Sequence, residues 1–242
     1  MPRFFADLPL RLGATLELPT PCVHHALRVL RLRDGEEITL FNGQGGEFHG
    51  PLLVESRGSA HFRCERFDPR EVELRWRITV AQGLAGTEKM DWIVEKAVEL
   101  GAFAIQPVAA ERSVIKLTPE RAQRRGQHWT DLSHSASEQC GRNRIATILP
   151  VTSLLAWLTG PHSDALRLIL LPQAAHSIRG IGAPSIGQNV EILVGPEGGF
   201  SDAEVEAARN AGFVPVDLGP RVLRCETAAA AALAMLSALW AA

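Results

Sequence analysis

The hydrophobic rhythm of this chain changes once, near residue 70, and that change limits its architecture more than any other feature. Before it, short apolar alternations are cut by turn signals. Residues 37–41 run into Asn42-Gly43, a pair suited to a tight hairpin, and Gly45-Gly46 leads into a second strand at 47–54. A further strand is expected at 62–67, and residues 24–32 show helical spacing in Ala26, Leu27 and Leu30. Residues 1–70 therefore read as a small β-barrel, and with no nucleophile or metal constellation in it, as a binding module.

Beyond residue 70, strands expected at 75–82, 103–108, 146–150, 166–171, 191–194 and 213–217 alternate with helices at 87–100, 118–137, 153–158, 201–211 and 226–240. That alternation defines an α/β domain over residues 71–242 with a mainly parallel sheet, whose loops gather at one sheet edge, where such folds bind ligands. Ser201-Asp202-Ala203-Glu204 fits a capping box, and Thr87-Glu88 offers similar start chemistry. The Ala-rich end of the chain is too short and too weakly apolar to span a bilayer and reads as a buried helix, with Thr227 as its expected cap.

The formal net charge is only −2, which argues against a protein wrapped in nucleic acid by charge alone. The average hides a bias. Of the 25 basic residues, 22 are Arg, the side chain suited to bidentate phosphate contact. Between residues 112 and 144, Arg112, Lys116, Arg121, Arg124, Arg125, Arg142 and Arg144 face only Glu120, Asp131 and Glu138, whereas the last third is acidic. That segment is a candidate phosphate-contacting surface, although a solvated helix face has the same composition. Cys22, Cys64, Cys140 and Cys225 form no CxxC pair and no leader-like segment opens the chain, so a reduced cytoplasmic protein is expected. His24 and His25 are adjacent and poorly placed to share an ion, so no metal site is expected.

Two segments carry the strongest chemical signal. The first, Val194-Gly195-Pro196-Glu197-Gly198-Gly199-Phe200-Ser201, is a glycine-rich turn between an apolar strand and a capped helix. It is not a P-loop, because no Gly-Lys-Ser/Thr follows and Pro196 removes an N–H donor, and it lacks the GxGxxG dinucleotide pattern. A plain strand-to-helix turn uses the same residue types. The second, Leu218-Gly219-Pro220-Arg221-Val222-Leu223-Arg224-Cys225-Glu226-Thr227, places two arginines and a carboxylate ahead of a nearly polar-free helix, more than a cap requires.

Together these segments resemble the RsmE family of the SPOUT superfamily, methyltransferases that act on N3 of a uridine in 16S ribosomal RNA. Further similarity lies in Lys89-Met90-Asp91, in 95–101, in Glu111-Arg112-Ser113 and in Glu138-Gln139-Cys140-Gly141-Arg142. His24 to Arg31 with Asn42-Gly43 is similar to the PUA-like RNA-binding domain of that family. Val222 and Cys225 depart from the family's usual Ile and Thr. The resemblance implies an α/β trefoil-knotted domain with a mainly parallel sheet behind a PUA-like β-barrel, a homodimer, and S-adenosylmethionine as cofactor. The implied cofactor residues are Leu171, Pro172 and Gln173; Gly195, Pro196, Glu197, Gly198 and Gly199; and Leu218, Gly219, Arg221, Val222, Leu223 and Arg224. Leu193, Leu218, Val222 and Leu223 would supply its apolar walls.

Uracil N3 keeps its proton until alkaline pH, so transfer requires that proton to leave or the anion to be stabilised. Arg112 and Arg142 are the candidate cations, and Glu138 or Glu197 the candidate proton acceptor. Arg28, Arg31, Arg121, Arg124 and Arg125 are expected to contact RNA, and Trp129 is placed to stack on it. The implied partner is 16S rRNA or the assembled small subunit, with no membrane. Two other readings use the same residues: a non-catalytic RNA-binding assembly factor, and a SPOUT methyltransferase acting at another RNA position.

Overall fold

The computed structural model describes residues 1–160 and 164–240 and separates into two units, Met1–Glu73 with His134–Ile145, and Leu74–Ser133 with Ala146–Ala242. The chain thus returns to the first unit after the second has begun. A reading in chain order, with one boundary at residue 70, has no access to that return.

The first unit contains β1 (Arg3–Phe5), β2 (Thr15–Glu17), α1 (Thr20–His24) continuing into a π-helical turn at His25–Val29, β3 (Glu37–Phe41), β4 (Glu47–Ser56), β5 (Ser59–Arg63) and β6 (Arg66–Asp68). Its strands run β1-β3-β4-β5-β2, with β6 also on β4. The β3–β4 pair is antiparallel, as Asn42-Gly43 predicts. The expected strand at 62–67 is instead two. Phe62 pairs with Leu52 and Phe67 with Phe48, while between them Cys64 and Glu65 donate to the carbonyls of Ala14 and His49. The ten residues of β4 are long enough to serve both partners. Phe4, Ile38, Leu40, Leu52 and Phe62 fill the core, closed by Cys22, Val23 and Ala26 from the helical segment.

The second unit contains β7 (Arg77–Gly83), α2 (Thr87–Glu99), β8 (Ala104–Ala109), α3 (Pro119–Cys140, whose last residues belong to the first unit), β9 (Thr147–Ile148), β10 (Thr152–Ser153), α4 (Leu154–Leu158), β11 (Ala165–Leu170), β12 (His176–Ser177), β13 (Asn189–Val194), α5 (Asp202–Asn210), β14 (Val214–Asp217) and α6 (Cys225–Trp240). Among the described residues all its pairings are parallel, in the order β10-β8-β7-β13-β11-β14-β12 with β9 on β8. Its central strands are near-continuous apolar runs because both faces are covered, with Ile78, Val80, Leu168, Ile169, Ile192 and Leu193 all at 0% exposure. β13 enters between β7 and β11, an order compatible with the knotted path that the resemblance implies.

The Ala-rich C-terminal segment forms α6, burying Ala229, Ala232, Leu233, Leu236 and Trp240 and packing on α2. It begins at Cys225, with Ala228 N donating to Arg224 O, so Thr227 lies inside its first turn and is not its cap. Thr87 likewise does not cap α2; Gly86 stands at the cap position and the Thr87 hydroxyl accepts from Arg125 at 3.1 Å. Among the described residues no helix is long and apolar enough to cross a membrane.

Candidate active site

The carboxyl ends of β13, β11 and β14 lie side by side in the sheet, so the loops that follow them converge. They enclose a cleft of about 440 Å3, lined by Leu171 and Pro172, by Gly195 to Glu197 with Gly199, and by Leu218, Gly219 and Arg221 to Arg224. Such a volume suits a ligand of cofactor size. Two glycines shape it. Gly219 adopts φ +115°, a conformation open to glycine, and its N–H donates to Asp217 at 2.9 Å. Gly83, ending β7, is packed so closely that a Cβ there would lie 2.6 Å from Pro196 N. Next to it, Gln82 donates to the carbonyls of Gly83 at 3.0 Å and Gly195 at 3.2 Å, fixing where the glycine-rich turn leaves the sheet.

Most of the residues expected at the cofactor site line this cleft. Leu193 does not: it is fully buried and packs behind the cleft with Ala81 and Ile169. Gln173 and Gly198 are also outside the lining; Gln173 is exposed at φ +59°, and the Gly198 carbonyl faces Arg112. The lining also contains Lys89, Phe200, Cys225 and Glu226, which stand in the quoted motifs but not among the expected cofactor residues. Lys89 comes from α2 and meets Glu197 Oε1 at 3.1 Å, while Gly86 N donates to the same oxygen at 2.9 Å. Burial pushes the Glu197 carboxyl up, but the Gly86 N–H, its own N–H and the Lys89 ammonium outweigh this and hold it below its ordinary range. Glu197 is thus an ionised pin for the turn and a weak proton acceptor.

Among the described residues, Cys225 is the one thiol in the cleft lining. Burial, followed by its contact with the Glu226 carboxylate, pushes its pKa up to about 12. It is therefore protonated and inert. Alkylation of the native protein with iodoacetamide at pH 8, read by peptide mass spectrometry, is expected to spare Cys225 until the chain is unfolded.

Arg112 stands over the glycine-rich turn, with Nη1 3.4 Å from Gly198 O and the side chain exposed. The preceding residue, Glu111, is held through its backbone by Glu204. That carboxylate completes the capping box of α5 by accepting from Ser201 N at 2.9 Å, and its other oxygen accepts from Glu111 N at 2.7 Å. Glu204→Ala removes both acceptors at a buried site, so a loss of about 1–3 kcal/mol is expected. For a chain of this size that is a fall of roughly 3–10 °C in the thermal midpoint, measurable by calorimetry.

Arg142 and Glu138 lie in the first unit and are engaged there. Arg142 is 3% exposed; its Nε and Nη2 reach both oxygens of Glu73, at 3.0 Å and 2.5 Å. Glu138 accepts from Phe5 N at 2.8 Å, and burial raises its pKa against the opposing effects of that N–H, His25 and Arg3. Arg142→Ala would leave Glu73 half-buried without its partner, so a loss of about 3 kcal/mol is expected, seen as an earlier first-unit unfolding transition. Arg28 and Arg31 are exposed around Val29 and Leu30, which are 59% and 44% exposed. Arg121 and Arg124 are exposed on α3. Trp129, by contrast, is 2% exposed with Nε1 donating to Asp91, so it cannot stack on RNA. Glu47, His49 and Asp68 come together as metal-binding residue types, but Arg3 and Arg70 already bridge Glu47, and the cluster reads as an ion-pair network.

The chain matches the RNA methyltransferase domain family over residues 72–237 and the RNA methyltransferase PUA domain family over residues 21–64. It is 31% identical to the Bacillus subtilis ribosomal RNA small subunit methyltransferase E, covering 98% of this chain and 96% of that one. The chain belongs to the ribosomal RNA small subunit methyltransferase E family. The family member from Neisseria gonorrhoeae, whose crystal structure contains S-adenosyl methionine, is 38% identical and superposes with a TM-score of 0.92, over 99% of this chain and 98% of that one. A Legionella pneumophila protein solved with the cofactor SAM is 34% identical with a TM-score of 0.91, over 98% and 96% of the two chains.

Proposed function

We propose that the protein transfers a methyl group from S-adenosylmethionine to N3 of a uridine in 16S rRNA of the small ribosomal subunit. The observation that carries this reading is the three-loop cleft in a chain that matches its family over nearly its whole length. The cleft suits a zwitterion with a sulfonium: apolar Leu171, Val222 and Leu223 flank exposed backbone, Glu197, Asp217 and Glu226 offer negative charge, and Lys89 and Arg224 can meet a carboxylate. When bound, S-adenosylmethionine supplies an electrophilic methyl group.

Around it the chain positions and polarises. The Gly195 to Gly199 turn, pinned by Glu197 and Gln82, fixes the floor of the cleft. Arg112 lies against the glycine-rich turn, with Nη1 3.4 Å from Gly198 O, and its guanidinium would stabilise the uracil anion formed as N3 releases its proton to solvent water. To Glu138 and Arg142 we assign structural roles in the first unit, because Glu138 Oε1 accepts from Phe5 N and Arg142 Nε and Nη2 engage the Glu73 carboxylate. Arg28 and Arg31 in the PUA-like unit, and Arg121, Arg124 and Arg125 on α3, are the proposed RNA contacts. The exposed Trp92 on α2 and Leu239 on α6, 40% and 41% accessible, support a homodimer, and the four free cysteines support a reducing cytoplasm.

A non-catalytic RNA-binding assembly factor makes the opposite prediction at this cleft. Titration of S-adenosylmethionine in a calorimeter is expected to give saturable binding with one site per chain; absence of heat at any temperature tested would favour the binding-only reading.

A further inference from the structure

A second concavity, of about 550 Å3, opens in the second unit, and its polar lining is Thr87, Lys116, Arg121, Arg124, Arg125 and His128. Arg121, Arg124, Arg125 and His128 follow the i, i+3, i+4, i+7 spacing that places them on one face of α3. Like charges at that spacing repel, and among the described residues no carboxylate lines the cleft to relieve them. Of the nearby acids, Asp91 reaches the His128 end of the cluster. Asp91 accepts from Trp129 Nε1 at 3.1 Å and meets His128 Nε2 at 3.0 Å, and Glu120 turns back on its own N–H and Thr118. Arg125 is already oriented, with Nη2 donating to Thr87 Oγ1 at 3.1 Å. Lys116, Arg121, Arg124 and Arg125 meet no carboxylate among the residues that line the cleft, and such a concave cluster is complementary to an anion that arrives from outside.

Its position says which anion. Thr87 lines this cleft and Lys89, two residues further along the first turn of α2, lines the cofactor cleft. The first turn of α2 therefore borders both clefts. We propose that this cleft is a phosphate subsite, holding a backbone phosphodiester of the RNA strand that carries the nucleotide being methylated. Lys116, Thr87 and His128 thereby join the RNA-contacting set. The inference rests on the reading that the protein methylates RNA.

The test is methyl transfer from tritiated S-adenosylmethionine to small subunits purified from a strain lacking the enzyme, using the full-length protein. For the double variant Arg121→Ala/Arg124→Ala, KM for subunits is expected to rise at least tenfold, with kcat and cofactor Kd within twofold of the parent. The log–log dependence of KM on KCl should become shallower by about one for each phosphate that the variant leaves unneutralised. Arg124→Lys should recover part of the affinity. Inorganic pyrophosphate should inhibit the parent competitively against subunits and lose that effect in the double variant. An unchanged KM and salt slope, or pyrophosphate inhibition that survives the double substitution, would overturn the subsite. So would a parallel loss of cofactor binding and thermal stability, which would mark the cluster as structural. Failure of the parent protein to methylate subunits or free rRNA would instead overturn the functional reading, and the subsite with it.

Discussion

Replacing Gly83 by Ala is expected to weaken S-adenosylmethionine binding at least a hundredfold while leaving the chain folded. A Cβ at this position would meet Pro196 Cδ at 2.5 Å, Pro196 N at 2.6 Å and Gly195 C at 3.0 Å. Two of those atoms are backbone, and a proline ring cannot swing aside, so the glycine-rich turn must move as a body. Gln82, which donates to Gly195 O at 3.2 Å, would be pulled from its partner by the same displacement. A hundredfold loss corresponds to about 2.7 kcal/mol, a reasonable consequence of moving several lining groups together. Calorimetric titration reads the effect. A Kd within threefold of the parent would mean that the turn does not form the cofactor floor.

Arg112→Ala is expected to lower kcat by about 10^2–10^3, the usual cost of removing a group that stabilises charge developing in the transition state, with cofactor Kd little changed. The pH profile separates this role from a packing role. Because uracil N3 must lose a proton, the single-turnover rate of the parent should rise with pH until N3 ionises without help. Without the guanidinium the anion is less favoured, so the profile of the variant should be displaced to higher pH and its deficit should shrink under alkaline conditions. Arg112→Lys keeps the charge and should recover much of the rate. A deficit of equal size at every pH would assign Arg112 to holding the Gly198 carbonyl, which lies 3.4 Å away, and not to the chemistry.

Much of the scaffold was legible because its signals are local. Apolar runs marked β7, β8, β11 and β13, and the Ser201–Glu204 capping box starts α5 where its spacing predicts. The convergence of the glycine-rich and Arg221 to Arg224 loops was implied by the family resemblance that their motifs carry. Interactions between distant parts of the chain could not be read from local signals. Lys89 enters the cleft from more than one hundred residues before Glu197, and only the fold reveals that pair. Charge alone could not separate Arg142, buried on Glu73, from exposed Arg121 and Arg124. Trp129 shows the same limit: a tryptophan beside arginines reads as a stacking platform, yet burial and the Asp91 hydrogen bond turn it inward. Near neutrality also concealed a partner, because an acidic C-terminal third offsets a concentrated basic surface on α3.

The central claim is tested most directly by nucleoside mass spectrometry of 16S rRNA after incubation of the purified protein with S-adenosylmethionine and small subunits from a strain lacking the enzyme. The account predicts the appearance of one 3-methyluridine per subunit, at one position, with no new ribose or guanine methylation. Modification at a different atom, or no modification of either subunits or free 16S rRNA by a protein that binds the cofactor, would contradict it.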